Sequence, residues 1–259
     1  MTGKETVSAE GVGSRPAEVR EKRRESLKVL FVITGLGMGG AERVVVELAD
    51  SLAERGHVPA IAYLKGDVIV RPHNADIPLV ELGIDSLRKI PRGIRVLQRL
   101  ISEMEPDVVH SHLVHANLFS RCARLFVDIP CLISTAHNSN EESRARMWAY
   151  RATNGLSDVF TNVSRDAVAA FVRHGAAPKG FMRVVHNGID VNRFRVISDV
   201  RPAVREALGV SSDKKLLIAV GRLEPPKDYA NLLCALRKVR TVREDWVCII
   251  VGEGALRDV

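Results

Sequence analysis

The sequence predicts an α/β chain of parallel sheets covered by helices, and three observations predict it. From Leu27 onward, short β-rich runs alternate with helical patterns, the sequence form of a parallel sheet flanked by helices. The runs 29–33 and 58–64 are nearly continuous in apolar residues, as strands buried on both faces must be, which excludes a half-exposed antiparallel sheet. The alternation breaks after Asn187-Gly188-Ile189-Asp190 and restarts at 216–220, so the pattern is laid down twice.

Taken in order, strands are expected at 28–34, 58–64, 79–82, 107–112, 130–136, 158–163 and 182–186. Helices are expected at 41–55, 92–104, 116–126, 141–154 and 166–174. Gly56, Gly155 and Gly175 stand where three of these helices close and predict left-handed caps, while Pro106 stops the second. Residues 1–26 are polar and end in Arg20-Glu21-Lys22-Arg23-Arg24-Glu25, a disordered tail rather than a secretory leader. A first domain at 27–190, a polar connector at 191–212 and a second domain at 213–259 complete the division. The second holds strands at 216–220 and 247–251 and a helix at 230–242, too few for an independent sheet sandwich, so the expectation is a domain truncated by the chain end.

Composition narrows the function. A formal charge of +7 and a pI near 9.5 call for a negatively charged partner: nucleic acid, an anionic membrane face or a phosphorylated substrate. With 3 Tyr, 2 Trp and 7 Phe, and no interleaving of cations with aromatics, the chain lacks the stacking platforms of a nucleic-acid binder. Cys122, Cys131, Cys234 and Cys248 show no Cys-x-x-Cys spacing and lie in apolar stretches, so buried thiols in a reducing, cytoplasmic compartment are expected. No run reaches the roughly 18 apolar residues of a membrane-spanning helix, which makes any membrane contact peripheral.

Two loops carry chemistry. Thr34-Gly35-Leu36-Gly37-Met38-Gly39-Gly40-Ala41-Glu42-Arg43 joins the first strand to the first helix, an arrangement that turns backbone N–H groups and a helix N-terminus toward an anion. A plain structural turn is its other reading. The loop is not a dinucleotide fingerprint, because Tyr63 or Leu64 stands where the acidic ribose ligand belongs, and NAD is disfavoured. Gly221-Arg222-Leu223-Glu224-Pro225-Pro226-Lys227 follows a strand of the second domain and sets a guanidinium and an ammonium five residues apart, either a pair suited to a diphosphate or two surface cations on a loop.

Gly39-Gly40-Ala41-Glu42, Thr135-Ala136-His137-Asn138, Asn187-Gly188-Ile189-Asp190, Gly221-Arg222-Leu223 with Lys227, and Gly252-Glu253-Gly254 together resemble, in order and spacing over residues 28–259, the retaining GT-B glycosyltransferases of family 4. The resemblance implies two facing Rossmann-like domains, the first binding acceptor and the second nucleotide-sugar donor. It implies that Gly37, Gly39 and Gly40 lie near the donor phosphates, that Arg222 and Lys227 hold the diphosphate, that His137 faces the donor sugar, and that no metal or other cofactor serves catalysis. His112 is expected on the acceptor side. His110, His112 and His115 cluster in sequence, but no carboxylate or cysteine completes a metal set. The family's paired glutamates, eight positions apart, belong to a loop beyond Gly254 that this chain does not contain, and Asp228 replaces the glycine common after the lysine.

On the helix at 92–104, Arg92, Arg95 and Arg99 form a basic stripe opposite Ile94, Leu97, Ile101 and Met104. It is either a solubilising face or a dock for an anionic membrane that brings lipid-linked acceptors within reach. The expectation is a cytoplasmic transferase, peripheral to the membrane, moving a sugar from a nucleotide donor to a glycan or lipid-linked acceptor. Its rival is an inactive fragment keeping only acceptor-lobe binding.

Overall fold

The structure, a computed structural model, describes residues 26–141 and 143–257. Residues 1–25 of the expected polar tail lie outside the described residues. The chain divides into two units after Gly188.

The first unit runs β1 (Lys28–Ile33), α1 (Gly40–Glu54), β2 (Val58–Tyr63), β3 (Leu79–Glu81), α2 (Ile90–Met104), β4 (Val108–His112), α3 (Val114–Ala123), β5 (Leu132–Ala136), α4 (Arg144–Thr153), β6 (Val159–Asn162), α5 (Arg165–Arg173) and β7 (Met182–Val184). Its seven strands are all parallel, in the order β3-β2-β1-β4-β5-β6-β7. The apolar run of β1 explains its central place. Leu30 and Val32 point into a core with Leu97, Val109, Phe119 and Leu132, while Val29, Phe31 and Ile33 point the other way, against Val45, Val46, Ala49 and Ile61. Each such side chain, fully buried, contributes roughly 1.5–3 kcal/mol before chain entropy is subtracted. A third cluster gathers Tyr150, Phe160 and Phe171 under α4 and α5.

The chain goes from β1 to β2 on one side and returns to β4 on the other, so the strand order reverses between β1 and β4. Connections leave that point in opposite directions, and in open α/β sheets the carboxyl ends of the strands at such a point are where ligands bind. Ile33 of β1 is in register with His112 of β4, and His112 with Thr135 of β5.

Helix ends depart from expectation in several places: the helices expected at 116–126 and 141–154 run instead over Val114–Ala123 and Arg144–Thr153. Gly56 and Gly175 are left-handed, with φ of 81° and 70°, but Gly155 sits in a 3-10 turn at Asn154–Leu156 and is not. The left-handed cap of α2 falls instead on Glu105, φ 49°, ahead of Pro106. Proline at the first turn lets α2 begin at Ile90, before Arg92.

The second unit holds α6 (Arg201–Ala207), β8 (Lys215–Val220), α7 (Tyr229–Arg240) and β9 (Trp246–Val251). The stretch read as a polar connector thus contains a two-turn helix, too short for its apolar period to stand out among charges. β8 and β9 pair in parallel from Lys215↔Trp246 to Val220↔Val251, and Leu217, Ile218 and Val220 remain exposed. The cysteines correct the sequence expectation: Cys122 and Cys234 are exposed, because they fall on the open faces of α3 and α7, and Cys131 and Cys248 are half-buried, Cys248 because β9 is only partly covered along most of its length.

Candidate functional site

At the carboxyl edge of the first sheet the histidines of β4 and β5 meet. His112 Nδ1 is 3.0 Å from His137 Nε2, the ring of His112 lies 4.1 Å from that of His110, and Phe31 closes the stack at 6.0 Å from His112. Parallel pairing produces this contact, since His112 stands beside Thr135 and His137 follows two residues later. His110 Nε2 bonds Thr135 Oγ1 at 2.8 Å, and Thr135 Oγ1 bonds Thr161 Oγ1 at 2.7 Å, a polar row across β4, β5 and β6. His112 is 2% exposed. Burial, and then the neighbouring histidines, hold its pKa well below the ordinary 6.5; burial brings His110 and His137 down to about 4, so all three rings are neutral near pH 7.

Two polar atoms at this edge, Thr34 Oγ1 and His112 Nε2, are buried with no hydrogen-bond partner among the described residues. Such atoms are uncommon and mark ligand or strained sites. Strain is present as well. Leu113, between His112 and α3, has φ 71° and ψ 156°, a region that L-residues seldom enter and that costs about 1–3 kcal/mol. Its N–H donates to Thr135 O and its carbonyl accepts from Asn117, which keep it there.

Below the edge, a buried network that sequence reading missed ties α3 to β5 and α4. Asn117 donates to Thr135 O and Tyr150 Oη and accepts from Ser111. Arg121, 0% exposed, donates to Ser134, Tyr150 O, Thr153 and Asn154 and lies 4.2 Å from the centroid of Phe160. No local signal marks these residues, since apart from the Ser111–Asn117 bond their partners stand 13 to 33 positions away.

The glycine loop opens beside this edge. Gly37 and Gly40 have open space where a Cβ would stand, whereas a Cβ at Gly35 would press on Lys65 O at 3.0 Å and one at Gly39 would strike the Glu42 carboxylate. His115 does not join the other histidines; its pKa is lowered by burial and then by the charges of Arg146 and Lys65. Arg92, Arg95 and Arg99 are exposed on α2, with Leu97 and Ile101 buried and Ile94 and Met104 packed behind them.

In the second unit the turns after β8 and β9 interlock. A Cβ on Gly252 would stand 1.9 Å from Gly221 O, and one on Gly254 would stand 2.4 Å from Leu223 O, so only glycine fits at these two places. Leu223 N donates to Glu253 O, and Tyr229 Oη to Gly221 O. The Lys227 stem runs along Gly221, its Cδ and Cε within 3.6 Å of the Cβ position. Arg222 is exposed and paired with Glu224 at 3.0 Å, a partner unassigned from sequence. Asp228, in the place of the expected glycine, is left-handed with φ 51°.

A doubly wound parallel sheet with its polar edge at the switch point, followed by a second α/β unit with a glycine-walled cationic turn, defines a Rossmann-like protein of the GT-B class. The chain belongs to Glycosyltransferase Family 4, whose model matches residues 38–193; a model described as Glycosyl transferases group 1 matches 200–259. It is similar to a D-inositol 3-phosphate glycosyltransferase of Geodermatophilus obscurus, 30% identical over 249 residues, covering 85% of this chain and 52% of that protein. It is also similar to an α-1,4-N-acetyl-D-galactosaminyltransferase of Campylobacter jejuni that acts on a diphospho-undecaprenol-linked glycan, 23% identical, covering 89% and 63%. Among solved structures, a glycosyltransferase from Rickettsia africae superposes with a TM-score of 0.73 at 19% identity, and Anabaena HepE in complex with UDP with 0.68 at 18%; each match covers 88% of this chain and 61% of the other. The chain therefore spans between half and two thirds of the length of these relatives.

Proposed function

We propose that the protein represented by this chain transfers a sugar from a nucleotide-sugar donor to a glycan or lipid-linked acceptor with retention, in polysaccharide or cell-envelope assembly. The observation that carries the reading is the turn after β8, where Lys227 lies along Gly221 and Arg222 stands one residue on. A guanidinium and an ammonium at one turn can neutralise charge building on a departing nucleoside diphosphate without a metal. To take up a phosphate, Arg222 exchanges the Glu224 carboxylate for the ligand, an inexpensive exchange because the pair is exposed.

In this reading Arg222 and Lys227 hold the diphosphate, His137 meets the donor sugar, the backbone at Gly37, Gly39 and Gly40 approaches the phosphates, and His112 lies on the acceptor side. The chain works in the cytoplasm, against the membrane face that carries lipid-linked acceptors, with the α2 stripe as its contact. No helix among the described residues is long and apolar enough to cross a membrane. Calorimetric titration of UDP and GDP tests the reading: Arg222→Ala is expected to weaken binding about tenfold or more, as loss of a charge-assisted bond costs about 1.5–3 kcal/mol. Unchanged affinity removes Arg222 from the site, and no binding of any nucleoside diphosphate leaves acceptor-lobe binding alone.

A further inference from the structure

We propose that His112 fixes the tautomer of His137, so that His137 presents Nδ1–H, a hydrogen-bond donor, at the carboxyl end of the sheet. The sugar-transfer reading supplies only what His137 meets; the direction of the hydrogen bond comes from the histidine pair itself.

Between His112 Nδ1 and His137 Nε2, 3.0 Å apart, there is room for one hydrogen, and with both rings neutral it belongs to one ring or the other. If His137 carried it on Nε2, His112 would have to carry its own on Nε2. That atom is buried with no partner among the described residues, in a side chain packed against Phe31 and His110. A buried N–H with nothing to donate to is rarer in proteins than a buried lone pair with nothing to accept. The hydrogen of His112 therefore sits on Nδ1, where it is donated to His137 Nε2, and the orphan at His112 Nε2 is a lone pair. His137, its Nε2 engaged as acceptor, keeps its own hydrogen on Nδ1.

The chemistry of the site follows. The ring nitrogen of His137 left for a ligand donates, so it selects an oxygen that accepts, such as a sugar hydroxyl or a phosphate oxygen. Nδ1 has no lone pair with which to remove a proton, so His137 orients its ligand instead of acting as a general base. His112 is the positioning residue: it acts through His137.

Imidazole ¹⁵N shifts of the labelled chain near pH 7, without ligand, read the tautomer directly, with His137 assigned by its loss in His137→Gln. Wild type is expected to show His137 protonated on Nδ1. His112→Phe is expected to move His137 toward the Nε2–H form favoured by a free side chain in water. If His112→Phe does not fold, His112→Asn, whose amide nitrogen reaches the same place, is expected to keep Nδ1–H. A wild-type His137 protonated on Nε2, an unchanged Nδ1–H in folded His112→Phe, or a switch to Nε2–H in His112→Asn overturns the proposal. Because the measurement needs no nucleotide, a chain that binds no nucleoside diphosphate defeats the transfer reading and leaves this result standing.

Discussion

The Glu42 carboxylate is folded back over Gly39: a Cβ placed on Gly39 would stand 2.3 Å from Glu42 Oε2. Gly39 is the N-cap of α1 and Glu42 its third helical residue, so the acidic group lies at the positive end of the helix, where it is worth about 0.3–1 kcal/mol. The N-terminus that follows the glycine loop is already attended by an anion of the chain. Gly39 makes room for Glu42, whereas Gly37 and Gly40 leave open space.

Gly39→Val is expected to destabilise the chain by about 0.5–2 kcal/mol through displacement of Glu42, while Gly40→Val changes stability little. The extended φ of Gly39, −146°, suits any residue, so the obstacle is Glu42 itself. In a Glu42→Ala background the Gly39→Val penalty should largely vanish, a coupling that urea denaturation of the four proteins measures. A penalty that persists without Glu42 refutes the contact. Nucleotide affinity of folded Gly40→Val separates a ligand loop from a structural turn.

The α2 stripe is expected to bind anionic vesicles in a salt-dependent way. Arg92, Arg95 and Arg99 are exposed, Lys89 is tied to Asp85 at 2.6 Å, and Leu87, on the turn just before α2, is 84% exposed. Each surface cation contributes about 1 kcal/mol, screened over roughly 8 Å at physiological ionic strength. Sedimentation with vesicles containing phosphatidylserine should show binding that falls with added salt and is lost when the three arginines become glutamate. Equal binding by that variant leaves the stripe a solubilising face.

Acid should weaken the fold before it reaches the carboxylates. Burial holds His110 and His137 down to about 4, and burial with the neighbouring histidines holds His112 well below the ordinary value, against 6.5 when unfolded. In the window that His110 and His137 define, the unfolded chain binds more protons, so this stability is fully present above pH 6.5 and is lost as pH falls toward 4. The loss is on the order of 1 kcal/mol per pH unit for each histidine kept neutral, less for the half-exposed His137. Urea midpoints at pH 7.5, 6 and 5 check it; a midpoint that does not move over that range contradicts the neutral stack.

Asp228→Gly should raise stability by about 0.5–1 kcal/mol and Asp228→Val lower it, because φ 51° and ψ 44° is a left-handed conformation that only glycine enters freely. Thermal melts of the three proteins test this. The family's usual glycine after the lysine thereby acquires a physical reason, and Asp, tolerant of this conformation, an excuse.

What the sequence disclosed was local. Apolar runs marked β1 and β2, glycines marked the turns after β1 and β8, and a spacing of five brought Arg222 and Lys227 to one turn. The histidine pair was out of reach, because His112 and His137 are 25 residues apart and only the β4–β5 register brings them together. The helix at α6 escaped because two turns carry almost no period. Arg121 reads as one more surface cation, since nothing nearby announces that Phe160, Tyr150 and Asn154 will close over it.

Arg121 sets two large effects against each other, and the outcome can be ordered in advance. The guanidinium is fully buried among neutral oxygens, and burial draws its pKa from 12.5 to about 10, a charge penalty on the order of 3 kcal/mol. Against this stand its bonds to Ser134, Tyr150 O, Thr153 and Asn154 and its place against the Phe160 ring. Ser134 keeps Ser111 and Ser157 as partners without it and Tyr150 O keeps Thr153 Oγ1, so Asn154 Oδ1 loses most. Arg121→Met removes the charge penalty and keeps the volume, so its cost should be small, about 1–2 kcal/mol. Arg121→Ala adds a cavity and should cost about 3 kcal/mol or more. Arg121→Lys keeps a more strongly hydrated charge without the planar fork and should fall nearer to alanine than to methionine. Urea denaturation at pH 7.5 ranks the three, and a lysine variant more stable than the methionine one would mean that the positive charge, rather than the flat bonded shape, is what the core requires.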